Sequence, residues 1–292
     1  MKHLSVPGRL ANILIYALCV LLCVVTLYPF LYCAAYSFSD SVAAMTKTIT
    51  IFPVQFSLEN YKAVFANPAI LDAFFISVLR TVTGVLYAVT VTGLAAYTVS
   101  KNWLPGRRII VIFLIVPMYV SGGLIPYYVL IHDLRLFNNF LVYILPHGFW
   151  AFNMLIMRTY FQTIPDSLEE SASLDGANPF TIFLKIIFPL SMPIVSTIAI
   201  FIGVYQWNAW FDGMLFMTKQ NLLPMQTLMQ RLLLESFARD MMVLQSQALT
   251  KVSTAESLKM AMIIVTSVPV IVIYPFFQKY FIKGVMIGAV KA

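Results

Sequence analysis

The sequence predicts an all-α integral membrane protein with six transmembrane helices, and three observations carry that reading. Of 292 residues, 60% are hydrophobic and only 11% charged, with a mean hydropathy of +0.85, too apolar for a water-soluble chain of this length. Six apolar stretches, 12–36, 71–99, 108–131, 139–160, 190–211 and 260–281, are each long enough to cross roughly 30 Å of hydrocarbon. The period-two alternation of a membrane β-barrel is absent, so helices must satisfy the backbone in lipid.

The first stretch follows Lys2 and Arg9, as a signal peptide would. Its apolar part is about twice the length of a signal core, and its removal would leave an odd number of spans, so it is read as the first span. Cys19, Cys23 and Cys33 all lie within it and have neither disulfide nor metal-ligand spacing with His3, His132 or His147. They are expected to be small apolar residues, and no metal site is expected.

Orientation follows from the basic residues of the short loops. Lys2 and Arg9, Lys101, Arg107 and Arg108, Arg158 and Lys185, then Lys279, Lys283 and Lys291 fall on one side of the predicted spans, which puts both termini in the cytoplasm. The net charge of +7 is mostly this bias. The basic residues are dispersed over loops, so membrane lipid is an expected partner and nucleic acid is not.

The spans form one membrane domain over 1–292, with two sizeable outer loops, 37–70 and 212–259. The second has helical content over 228–244 and a polar tip over 245–255, too long for a mere hairpin. Pro117, Gly122, Gly123 and Pro126 interrupt the third span, either to line a cavity or to kink for packing; Pro269 and Pro275 in the last span are read as packing kinks.

Between the fourth and fifth spans, 161–189 has more local structure than a turn requires. Pro165 suits a first helical turn, and Asp166, Glu169 and Glu170 place negative charge where the helix dipole favours it. Gly176 is positioned to end that helix in a left-handed turn, and Asn178 and Pro179 open another as N-cap and first helical residue. The loop reads helix, tight turn, helix.

This loop resembles the cytoplasmic signature of ABC importer permeases, the Glu-Ala-Ala pattern followed by glycine and a distal apolar-Pro pair. Glu170, Ala172, Asp175, Gly176, Ala177, Ile186 and Pro189 fit it, while Ser171 and Phe188 replace residues of similar size or apolarity. The stretch 121–126 and the tail 278–291 are similar to those of maltose-type carbohydrate permeases, in particular the short permease subunits of alginate- or pectin-type importers.

The resemblance implies the type I ABC importer permease fold in a bacterial cytoplasmic (inner) membrane. It implies a homologous second permease subunit, two ATP-binding subunits and an extracytoplasmic sugar-binding protein as partners. No cofactor would be bound by this chain; ATP and Mg would sit on the partner subunit. Glu170, Ala172, Asp175, Gly176, Ala177 and Pro179 would couple to the ATPase, and Gly284, Gly288 and Lys291 would contact it through the tail. Gln245, Ser246, Gln247, Thr250 and Ser253 would reach the binding protein.

The chemistry agrees with an energy source elsewhere. There is no Gly-x-x-x-x-Gly-Lys-Ser/Thr loop to cradle phosphates. The ionisable residues near the spans reduce to Arg80, Asp72 and Asp212, without the paired carboxylates of a proton relay, which disfavours a secondary transporter. Tyr205, Asn208 and Asp212 recur at helical spacing with Trp207 nearby, giving aromatic faces for sugar rings and polar groups for hydroxyls. An interfacial aromatic belt is the alternative.

The implied function is import of an oligosaccharide, with uronic-acid fragments such as alginate or pectin within the resembled branch and Arg80 as the one cationic contact. A permease for another solute class, a secondary transporter, and a membrane enzyme built on His132, Asp133 and His147 are the alternatives.

Overall fold

The computed structural model describes residues 6–120, 122–246 and 252–289, the backbone alone over 6–10, 45–46, 236–246, 252–255 and 277–289. Among them every regular element is helical. The helices are α1 (Val6–Ser37), α2 (Ser41–Thr46), α3 (Glu59–Ala66), α4 (Pro68–Ser100), α5 (Arg107–Tyr119), α6 (Leu124–Asp133) and α7 (Ala151–Phe161). They continue as α8 (Asp166–Leu174), α9 (Pro179–Ile182), α10 (Phe188–Leu190), α11 (Met192–Asn208), α12 (Phe211–Phe216), α13 (Met225–Ser246) and α14 (Val252–Ala289). Three stretches are long and apolar enough to cross a membrane unbroken: Ala11–Ser37, Pro68–Ser100 and Glu256–Phe276. Three further pairs of helices pass the same test together but are bent at a break, and counted as one span each they make six.

Two of the breaks have a local cause in proline and glycine. Pro117 lies in the last turns of α5, Val120 is extended, and Gly123 caps α6 with a φ of +85°. Pro126 is in the first turn of α6, where its missing N–H has no intrahelical acceptor to lose. A 51° bend separates Phe140–His147 from α7. An 85° bend separates Pro179–Leu190 from α11. There Pro189 and Pro193 flank Ser191, and a proline in mid-helix clashes with the carbonyl four residues earlier, so the helix restarts in a new direction. By contrast α14 runs on through Pro269 and Pro275.

The chain divides into two compact units. The first comprises Met1–Pro68 and Arg231–Val268. In it α1 is exposed from residue 11 to residue 31, an all-round apolar surface suited to lipid. Tyr36, Ala35, Ala44 and Ile49 form its small core. The buried Asn60 donates to the carbonyls of Ser37 and Ser39, both at 3.0 Å, and accepts from Ser41 Oγ at 2.9 Å, tying the segment after α1 to α3.

The second unit comprises Ala69–Gln230 and Pro269–Ala292, and α4 is its spine. Ala73, Ser77, Arg80, Gly84, Ala88, Thr92 and Ala96 form a buried stripe at helical spacing. All but Arg80 are small, so neighbouring helices approach closely, as is usual in membranes. Ala88 and Ala96 pack into a core with Met154 and Met157 of α7, Phe183, and Ile194, Ile198 and Ile202 of α11. A second core gathers Ile131, Val142, Tyr143 and Phe216.

One sequence expectation fails here. The fifth span was predicted to run over 190–211, with Tyr205, Asn208 and Asp212 on one face. Instead α11 ends at Asn208, Ala209 is extended with a ψ of 120°, and Asp212 sits on the separate helix α12. The cause is distant in sequence: the carbonyl of Ala209 is taken by Arg80 Nη1 at 2.9 Å, which rewards leaving the helix.

Candidate functional site

Two polar assemblies are held by α4, one just beyond its C-terminal end and one about a third of the way along it. The first surrounds the loop 161–189. Pro165, extended, precedes α8, so it stands one position earlier than the sequence suggests. Asp166 and Glu169 lie in the first turn, where the helix dipole stabilises them. At the other end Gly176 takes a φ of +84°. Its N–H bonds the carbonyl of Ser173, and the N–H of Ala177 reaches back to that of Ala172, both at 3.0 Å. This paired closure is the glycine-dependent helix stop. Asn178 Oδ1 then accepts from the N–H of Thr181 at 2.8 Å, with Pro179 as the first residue of α9.

Ala172 and Ala177 face inward against the core. Glu170, Asp175 and Pro179 face solvent. Beside them Leu174 is 90% exposed and Phe180 59% exposed. Both apolar side chains are thus held out from the core on a closed turn.

Behind α8, Glu169 forms an ion pair with Lys101, just beyond the end of α4. Tyr97 donates its hydroxyl to Glu169 Oε2 at 3.3 Å, and Lys101 Nζ lies 4.3 Å above the Tyr97 ring. A cleft of about 960 Å³ opens alongside, lined among others by Lys101, Trp103, Asp166, Glu169, Glu170 and Ser173.

The second assembly centres on Arg80, which is fully buried. Its Nη2 bonds Asp212 Oδ2 at 2.8 Å and Gln206 Oε1 at 3.0 Å, and its guanidinium lies 4.4 Å from the Tyr143 ring centre. Gln206 in turn donates to the carbonyl of Tyr143 at 3.1 Å. The amide of Gln206 fits only because position 84 is glycine: a Cβ there would come within 2.6 Å of Nε2. His147 Nε2 stands 3.6 Å from Asp212 Oδ2, and Tyr205 Oη 3.4 Å from His147 Nδ1. Burial pushes the Asp212 carboxyl up, but His147, 3.6 Å away, and the charge and hydrogen bond of Arg80 outweigh it and hold it below the ordinary aspartate value.

This geometry separates the residues proposed for a sugar path. Tyr205 is partly exposed and packs against Trp150, ring centres 4.7 Å apart, and against His147. Asn208 is exposed, and its amide donates back to the carbonyl of Val204 at 2.8 Å. Trp207 is 7% exposed, edge-on to Phe74, which is a packing role. Asp212 turns to Arg80. The expectation of Arg80 as a cationic contact for substrate also fails, since its charge is matched within the fold and its surface is closed to solvent.

Of the other sequence candidates, Gln245 and Ser246 end α13, Ser253 begins α14, and Gly284 and Gly288 lie near the end of α14. Gln247, Thr250 and Lys291 lie outside the described residues. Cys19, Cys23 and Cys33 are free thiols. No group of three or more metal-ligating side chains occurs among the described residues. His132 pairs only with its exposed neighbour Asp133, and His147 belongs to the Arg80 assembly. Sequence reasoning missed the Lys101–Glu169 pair and the roles of Tyr143 and His147, none of which any local pattern announces.

The model of the family described as "Binding-protein-dependent transport system inner membrane component" matches residues 88–287. The polygalacturonan/rhamnogalacturonan transport system permease protein YtcP of Bacillus subtilis is 35% identical over 286 residues, covering 97% of this chain and 99% of that protein. Protein LplC of Bacillus subtilis is 34% identical over 268 residues, 91% of this chain and 90% of its own length. Among solved structures, a chain of a bacterial ABC transporter involved in the import of the acidic polysaccharide alginate superposes with a TM-score of 0.86 at 28% identity. The match covers 96% of this chain and 100% of that one. The chain belongs to the family of inner membrane components of binding-protein-dependent transport systems, as a permease subunit of an ABC importer and not an enzyme.

Proposed function

We propose that this permease imports an acidic oligosaccharide, of the class released from pectin or alginate, handed over by an extracytoplasmic binding protein and driven by ATP hydrolysed on partner subunits. The observation that carries the coupling half of this reading is the α8–Gly176–α9 turn, which holds Leu174 and Phe180 out to solvent on a closed, rigid scaffold. Glu170, Ala172, Asp175, Gly176, Ala177 and Pro179 build and present that turn. The permease brings no cofactor of its own to the reaction; ATP and Mg²⁺ belong to the two ATP-binding subunits.

The basic-residue bias supports cytoplasmic termini and hence a cytoplasmic loop 161–189, with loop 212–259 outside. On that orientation one permease domain spans 1–292, a second, homologous permease completes the pathway, and Gln245, Ser246, Gln247, Thr250 and Ser253 meet the binding protein. Gly284, Gly288 and Lys291 carry the tail to the ATPase. For the sugar, the structure favours Tyr205 and Trp150, whose rings meet edge to face at 71°, as aromatic contacts for a ring, with Asn208 nearby on the same helix as Tyr205. Asp212 adjoins these rings through His147, and Trp207 packs the same helix against Phe74.

The names of the relatives support the acidic sugar: polygalacturonan or rhamnogalacturonan for one and alginate for another. The test is the ATPase activity of the assembled importer in proteoliposomes with its binding protein. Stimulation by oligogalacturonides or oligoalginates, and not by maltose or amino acids, is the expected result. Stimulation by a non-carbohydrate solute alone would replace this reading with that of a permease for another solute class.

A further inference from the structure

Helix α4 holds two sets of partners far apart along one rigid rod. About a third of the way along it, Ser77 Oγ accepts the N–H of Met225, the first residue of α13, at 2.8 Å, and Arg80 holds Asp212 of α12 and the carbonyl of Ala209. Just beyond its C-terminal end, Lys101 holds Glu169 of α8. From Arg80 to Lys101 is 21 residues, about 30 Å of helix. Between them the buried small residues Gly84, Ala88, Thr92 and Ala96 keep the rod pressed into the core.

We infer that Lys101 and Glu169 are positioning residues for energy coupling: their ion pair makes α8 move as one body with α4, so that a push on the cytoplasmic loop reaches the bases of α12 and α13. Besides it, the hydrophobic side chains that α8 and its turn pack against the core are the small ones of Ala172 and Ala177. Two methyl groups resist sliding poorly. A shielded charge pair, set over the Tyr97 ring and braced by its hydroxyl, resists it in a directed way. About 30 Å along the helix the Arg80 network is buried and joins α4, α11 and α12, so movement of α4 cannot leave Ala209 and Asp212 behind without exposing an unpaired charge. Interfaces of this kind switch between discrete arrangements and do not deform continuously, which is what transmission requires.

The inference rests on the coupling role proposed above. It is tested in the complete importer, with both permeases, the ATP-binding subunits and the binding protein, reconstituted in proteoliposomes with trigalacturonate as the probe. The readout is ATP hydrolysed per sugar taken up. Glu169→Gln and Lys101→Met should each raise that ratio about fivefold or more while the ATP-binding subunits still copurify. The swapped pair Lys101→Glu with Glu169→Lys should return it to within about twofold of the natural chain.

A second measurement does not depend on the stability of the charge variants. Cysteines at 101 and 169 joined by a short bifunctional reagent should leave uptake running, because the two sites never separate. A natural ratio in both single variants, an unrescued swap, or uptake blocked by the cross-link would overturn the inference while leaving the permease reading intact. Failure of the natural importer to hydrolyse ATP in response to loaded binding protein would instead overturn the reading beneath it, and the inference with it.

Discussion

Arg80 and Asp212, 132 residues apart in sequence, form a buried ion pair 2.8 Å long that also fixes where helix α11 ends. A charge pair closed off from solvent is costly to make and costlier to break. Arg80→Met alone, or Asp212→Asn alone, should lower stability by about 3–5 kcal/mol, because each leaves a buried partner unmatched. The apolar double variant Arg80→Met with Asp212→Leu should recover part of that loss, since no charge is left unpaired while Gln206 and the Ala209 carbonyl still lose their donor. Thermal unfolding in detergent distinguishes the cases, and a double variant worse than either single one would contradict the pairing.

The same pair has a defined pH dependence. Asp212 is held below the ordinary aspartate value, so its contribution is fully present above that value and is lost as pH falls through the depressed one. The stability gap between the natural chain and Asp212→Asn should therefore stay level from about pH 8 to about pH 5 and shrink only in stronger acid. A gap that closes between pH 7 and 6 would assign the titration to another group.

Gly176 stands at a φ of +84° with no atom within 4 Å of where a Cβ would be, so substitution there strains backbone without causing a clash. Left-handed geometry costs an ordinary residue about 1–2 kcal/mol, and asparagine tolerates it best. Uptake should fall in the order Gly, Asn, Ala, Val at this position, with Gly176→Val still inserted in the membrane. Equal uptake by the Asn and Val variants would remove the turn from the mechanism.

The aromatic surface makes a separate claim. Trp150→Ala should raise the KM for oligosaccharide uptake by about threefold to tenfold, the worth of one aromatic stacking contact, with a smaller change in kcat. Unchanged KM would leave Trp150 and Tyr205 as packing residues alone.

Much of the loop 161–189 was legible because its signals are local: a glycine that ends one helix, an Asn-Pro that begins the next, and acidic residues in a first turn. The spans were legible for the same reason, since apolar length is a property of contiguous residues. What the sequence hid is what distant residues impose. The end of α11 at Asn208 depends on Arg80, reaching across 129 positions to the Ala209 carbonyl. Helical spacing alone could not foresee that Tyr205 and Asp212 part company there. Nor could Lys101 announce Glu169, since a lysine after a span also satisfies the charge bias of any cytoplasmic loop. The 85° bend at Ser191 was half visible in Pro189 and Pro193, but prolines allow a bend without setting its angle.

On the function proposed above, the α8–α9 turn docks into an ATP-hydrolysing partner through side chains the fold leaves exposed. Leu174, 90% exposed, makes no contribution to this chain's own core that its loss would remove. The most direct measurement is copurification of the ATP-binding subunits with the Leu174→Asp variant from membranes. The account predicts an inserted, folded permease that no longer retains them; retention at the level of the natural chain would contradict it.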